Sequence, residues 1–93
     1  MTTRNPIDDP IDDQVRGVLA DTLGLSADRV AGFTAETPLF GALPELDSMA
    51  VAGVLTELED RIGILIEDDE VDGDMLETFG ALTDFVRSKA IVA

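Results

Sequence analysis

No cysteine, histidine, tyrosine or tryptophan occurs in the 93 residues of the chain. Each absence removes a chemistry. Without cysteine there is no disulfide and no thiolate nucleophile. Without cysteine or histidine there is no zinc site of the usual ligand types and no imidazole for acid–base work. Bases are scarce as well: 6 Lys and Arg stand against 20 Asp and Glu, a net charge of −14. Phosphate contacts need clustered bases, so nucleic acid is disfavoured as a partner, and an anionic membrane surface repels the chain. No apolar run reaches the length of a transmembrane helix, and residues 1–6 contain no apolar signal core. The expectation is a monomeric, cytoplasmic protein with no membrane insertion, whose charge favours protein partners with basic docking patches.

What is present is apolar residue in quantity, 45% of the chain. A chain of this length makes one domain and buries about 60–65% of its unfolded surface, enough for one core but not for a deep substrate cavity. Residues 1–9 are polar and are expected to be flexible, and residues 91–93 form a short tail. Asp9 and Pro10 read as cap and first position of a helix over about 10–23, with Ile11, Val15, Val18 and Leu19 on one face and Gly24 as its stop. A long connection, 25–46, carries Leu25, Val30, Phe33, Leu39 and Phe40. These are costly to leave in water, so it is expected to pack as an ordered loop with a turn of helix near 27–30.

The loop delivers the chain to Leu46-Asp47-Ser48-Met49. Asp47 and Ser48 are both strong N-cap types. The second main helix, about 48–61, places Val51, Val54, Leu55, Leu58 and Ile62 on one face and Met49, Gly53, Thr56, Glu57 and Asp60 on the other. Gly63 ends it. A short third helix is expected between about 69 and 76, and Thr78 caps a last helix bearing Phe79, Leu82 and Val86. The fold class is all-α: a small bundle of three main helices plus a short third one, with a long ordered loop between helices one and two.

Two constellations fail their own requirements. Asp68, Glu70, Asp72, Gly73 and Asp74 fall at positions one, three, five, six and seven of a calcium-binding loop, but position twelve, which must supply a bidentate Glu, is Phe79. No metal site is expected. A hydrolytic Ser48 would need a base, and with no histidine only Lys89 or a carboxylate could serve, so no catalytic residue is assigned and the protein is not expected to be an enzyme. A capped helix start alone would account for Asp47-Ser48. An accessible serine at a helix N-terminus is also a good acceptor for a phosphate-linked group, because that end of the helix favours negative charge. Glu45, Asp47, Glu57 and Asp60 flank it with carboxylates, and Met49 adds an exposed apolar contact.

The chain resembles the acyl carrier proteins over about residues 10–90. The residues that carry the likeness are Leu46-Asp47-Ser48-Met49, the helix end Leu58-Glu59-Asp60-Arg61-Ile62-Gly63-Ile64, the acidic return Ile66-Glu67-Asp68, Thr78-Phe79-Gly80-Ala81-Leu82, and Thr37-Pro38-Leu39-Phe40 in the loop. The resemblance implies that Ser48 bears 4′-phosphopantetheine, donated by coenzyme A through a phosphopantetheinyl transferase, with Asp47 assisting at a magnesium ion held mainly by that enzyme. It implies that the arm's thiol holds acyl groups as thioesters and presents them to acyl-activating, condensing or acyl-transfer enzymes in fatty-acid, lipid or polyketide-type biosynthesis. Glu45, Met49, Gly53, Thr56, Glu57 and Asp60 would form the docking surface. Leu55, Leu58, Ile62, Ile66 and Phe79 are candidates to line an acyl slot. Peptidyl or aminoacyl carriage on the same fold is the alternative, disfavoured because paired glycines do not precede Ser48. The long approach Phe40-Gly41-Ala42-Leu43-Pro44-Glu45-Leu46 and the plain Ala50 and Ala52 suggest a specialised, free-standing member.

Overall fold

A computed structural model describes residues 10–91. The expectations for residues 1–9, the Asp9 cap among them, and for residues 92–93 lie outside the described residues. Four helices and two single 3-10 turns follow one another: α1 (Pro10–Leu23), α2 (Ala27–Ala31), α3 (Ser48–Ile62), turns at Asp68–Glu70 and Asp74–Leu76, and α4 (Phe79–Ile91).

The helix limits follow from local chemistry. Gly24 and Gly63 adopt left-handed backbone, with φ of 71° and 78°, where a side chain would be strained. The Gly63 N–H bonds the carbonyl of Glu59 and closes α3. The Ser26 hydroxyl accepts from the Arg29 N–H at the start of α2, and the Thr78 hydroxyl accepts from the Ala81 N–H at the start of α4.

The core is one cluster. Val15, Val18 and Leu19 of α1, Val54 and Leu58 of α3 and Leu82 and Val86 of α4 are fully buried, and so is Leu39 of the loop. The loop is therefore part of the core. It is also zipped to the chain that leads into α4: Leu39 N–H donates to the Glu77 carbonyl (2.9 Å), Phe40 N–H to Leu76 (3.0 Å), Phe79 N–H to Thr37 (2.8 Å) and Gly80 N–H to Ala35 (3.0 Å). Pro38 and Thr78 form an isolated antiparallel bridge at its centre.

Where one short helix was expected over 69–76, the chain makes two 3-10 turns. Glu67 and Glu70 close a capping box around the first. The Asp72 carboxylate then accepts from the Met75 N–H and starts the second afresh, so no continuous helix crosses 71–73.

Each base among the described residues ties two parts of the fold together. Arg16 donates to the Val30 and Phe33 carbonyls and lies 4.9 Å from the centre of the Phe79 ring. Arg29 pairs with Glu45, Arg61 with Asp21, Arg87 with Asp12 and Lys89 with Glu70, each at 2.7–2.8 Å. Among the described residues the scarce positive charge is paired within the protein, which leaves their outer surface predominantly acidic.

Candidate functional site at the start of α3

The loop turns at Gly41, where φ is 91°, and both Ala42 and Leu43 N–H groups bond back to the Leu39 carbonyl. Leu46 is buried and anchors the last residue before the site. Asp47 is extended (φ −96°, ψ −177°); its carboxylate accepts from the Ala50 N–H at 2.8 Å and its carbonyl from the Val51 N–H at 3.0 Å. Of the two possible caps, then, the structure uses Asp47. Ser48 becomes the first residue of the helix, exposed, with its hydroxyl in no hydrogen bond among the described residues. The Ser48 and Met49 N–H groups, next to it, likewise find no acceptor among those residues. A reactive hydroxyl thus stands beside unpaired donors at the positive end of a helix, an arrangement that accommodates a phosphate.

Met49, 86% exposed, flanks the serine on the outside. Glu45 leans away toward α2, where Arg29 donates to both of its oxygens at 2.8 and 3.5 Å. The Arg29 hydrogen bond holds the Glu45 carboxyl below the usual glutamate range.

A cleft of about 240 Å³ opens at Ser48 itself, lined by Phe40, Val51, Val71, Asp72, Gly73 and Leu76. A second, of about 210 Å³, is lined by Ala52, Leu55, Thr56, Glu59, Ile66, Asp68 and Val71. Val71 borders both. Of the five slot candidates, Leu55 and Ile66 line the second cleft. Leu58 and Phe79 are buried and Ile62 is half-buried. Phe79 lines neither cleft; its ring lies 5.7 Å from that of Phe33 and beneath Arg16. Phe40, Val71 and Leu76, which nothing in the sequence marks as site residues, line the cleft at Ser48 together with Val51, Asp72 and Gly73. Their meeting depends on the loop zipping onto the second 3-10 turn, a non-local pairing that hydrophobic periodicity does not carry.

The expected docking residues divide. Met49, Thr56 and Asp60 are exposed on α3. Gly53 instead meets α1: a Cβ there would lie 3.3 Å from the Thr22 methyl. Glu57 accepts from Arg61 at 2.9 Å, and Arg61 reaches Asp21 of α1 at 2.8 Å. Asp21 first and Glu57 second raise the Arg61 pKa. These residues border a cleft of about 440 Å³ between α1 and α3. Among the described residues no three metal-ligating side chains cluster. Glu70 and Asp72, two of the residues of the calcium-like sequence, are bound to Lys89 and to the Met75 N–H.

A family model described as a phosphopantetheine attachment site matches residues 13–86. The solution NMR structure of a holo acyl carrier protein from Nitrosomonas europaea superposes with a TM-score of 0.77 at 41% sequence identity, covering 87% of this chain and 95% of that one. This chain belongs to the acyl carrier protein family.

An acyl carrier protein is a carrier and not a catalyst, and its work is done with modifying and acyl-handling enzymes. Its cofactor is covalent 4′-phosphopantetheine, whose thiol forms thioesters. The residues at the start of α3 fit that group: a free hydroxyl to esterify, unpaired N–H donors for the phosphate, and an apolar cleft alongside. A carrier without a single cysteine has no thiol of its own to compete with the arm. No helix among the described residues is long and apolar enough to cross a membrane.

Proposed function

We propose that Ser48 is the attachment point of 4′-phosphopantetheine and that the chain carries acyl thioesters between enzymes of fatty-acid, lipid or polyketide-type biosynthesis. The observation that carries this is the division of labour at the cap: Asp47 closes the helix, which leaves the Ser48 hydroxyl exposed and unengaged. A base of the transferase takes the Ser48 proton, the serine oxygen attacks the β-phosphorus of coenzyme A, and the pyrophosphate P–O bond breaks to release 3′,5′-ADP. This chain's part is to hold that oxygen outward on a fixed helix and to offer the second Asp47 oxygen toward the transferase's magnesium.

Partner enzymes dock through basic patches on the acidic outer side of α3, where Met49, Thr56 and Asp60 are open and Glu45 and Glu57 sit in ion pairs that a stronger basic partner displaces. Gly53 contributes by letting α1 lie close beneath this surface. Cargo is sheltered on the side of Leu55 and Ile66, with Leu58, Ile62 and Phe79 as the core behind them. An acyl rather than aminoacyl cargo is supported by Leu46, in place of glycine, directly before Asp47-Ser48. The protein acts as a monomer in the cytoplasm.

Incubation with coenzyme A, Mg²⁺ and a transferase of broad specificity should raise the intact mass by one phosphopantetheine, and Ser48→Ala should not gain it. Wild type that gains nothing with several transferases overturns the proposal.

A further inference from the structure

The hollow of about 440 Å³ between α1 and α3 has a floor of small residues and a charged rim. Thr22 of α1 and Ala52, Gly53 and Thr56 of α3 make the floor, and Asp21, Glu57 and Arg61 stand around it. Arg61 is the only base in α3. Its guanidinium spans the two helices: Nη2 donates to Asp21 at 2.8 Å and Nε to Glu57 at 2.9 Å. Gly17 of α1 leaves it room, since a Cβ there would lie 3.8 Å from Nη1. All three charged side chains are well exposed, Asp21 at 64%. Ion pairs so open to water are weak, and a competitor from outside can replace them.

The seat is specific even so. It offers two carboxylates from different helices, both within bonding distance of one planar guanidinium. A second arginine suits it: the fork takes both carboxylates and the methylene stem lies on the small-residue floor. A lysine is a point charge and does not span them as well. The seat is also within reach of an enzyme that acts at Ser48. Ala52 and Thr56 follow Ser48 at four-residue spacing, and Thr56 is about 12 Å from it along the helix. An ordinary interface, covering about 800 Å² on each partner, takes in both places. We propose that the transferase that loads Ser48 anchors an arginine in this hollow, on Asp21 of α1 and Glu57 of α3, and that Arg61 fills the same seat in the free protein and has to be displaced. This rests on the docking through basic patches proposed above, and adds to it a contact on α1 and a competitor within the chain. Arg61 thereby selects for a partner that brings a guanidinium over one that brings only diffuse positive charge.

The test is steady-state loading from coenzyme A by a transferase that modifies the wild type, with this protein as the varied substrate. Arg61→Gln empties the seat and should lower KM about two- to five-fold, the range an exposed ion pair allows, with kcat unchanged. Arg87→Gln makes the same change in net charge away from the hollow and should lower KM less. Asp21→Asn should raise KM. It should raise KM in the Arg61→Gln background as well, because the carboxylate then meets the incoming arginine directly. A KM that does not fall in Arg61→Gln, or that falls as far in Arg87→Gln, overturns this inference and leaves docking by general charge standing. So does an Asp21→Asn effect that vanishes in the Arg61→Gln background, which would limit Asp21 to holding Arg61. Wild type that none of several transferases loads overturns attachment at Ser48 and this inference with it.

Discussion

Gly80, in the first turn of α4, lies so close to Ala35 of the long loop that a Cβ on it would stand 2.8 Å from both the carbonyl oxygen and the Cβ of Ala35. Its N–H bonds the same carbonyl at 3.0 Å. The glycine is there to let a loop strand touch a helix end, and through that contact the loop is held in the frame that positions Ser48.

Gly80→Ala should therefore destabilise the protein, although alanine is the better helix former by about 1 kcal/mol. The neighbour that must move is backbone, and overpacking of this kind costs about 1–3 kcal/mol. Gly53→Ala is the control: it meets only the Thr22 methyl at 3.3 Å and should be neutral or slightly stabilising. Urea midpoints of the two variants should move in opposite directions, or Gly53→Ala should not move at all.

Leu39 tests whether the loop belongs to the core. It is completely buried although it lies in no helix. Leu39→Ala should cost about 2–5 kcal/mol, as for a leucine inside a helix bundle. A loss well under 1 kcal/mol would mean that the loop is a covering that can lift away.

Asp47 combines a structural role with one in the proposed chemistry, and two substitutions separate them. Asp47→Ala removes the cap and should cost about 1 kcal/mol. Asp47→Asn keeps an oxygen for the Ala50 N–H, so stability should be nearly unchanged, but the carboxylate offered to magnesium is gone and transferase-catalysed loading should slow. Equal loading rates in wild type and Asp47→Asn would limit Asp47 to its role as a cap.

Much of the architecture could be read locally. Pro10, Gly24, Asp47, Gly63 and Thr78 mark the helix limits because caps and left-handed glycines act within a few residues. The apolar content of 25–46 is enough to require an ordered loop. Which groups the loop pairs with could not be read, since Leu39 to Glu77 and Phe40 to Leu76 are contacts between distant parts of the chain. The same limit explains the cleft at Ser48. Val51 is visible on the apolar face of α3, but Phe40, Val71 and Leu76 join it only after the loop has docked. Helical periodicity put Gly53 and Glu57 on the outer face of α3. The missing side chain at Gly53 and the Arg61–Asp21 pair bring α1 against them.

Acid should loosen the fold at two identifiable places. Arg29 holds the Glu45 carboxyl below the usual glutamate range. The Lys89 hydrogen bond, and then the Glu67 N–H, do the same for Glu70. A depressed folded-state pKa gives stability that is present above the unfolded value and is lost as the pH falls through the folded one. Both pairs are partly exposed, so each effect is small. A ¹³C NMR titration should show both carboxyls ionising below a free glutamate. Arg29→Gln should return Glu45 to the ordinary range and leave Glu70 unchanged.

The central claim is that one hydroxyl, Ser48, bears the prosthetic arm. The chain has three serines, Ser26, Ser48 and Ser88, and tryptic cleavage after Arg29 and Arg61 isolates Ser48 on a peptide of residues 30–61. Fragment-ion mass spectrometry of protein loaded from coenzyme A should place the whole phosphopantetheine increment on that peptide, at Ser48. An increment on the peptide of Ser26 or Ser88, or a residues 30–61 peptide left unmodified in loaded protein, would contradict the account.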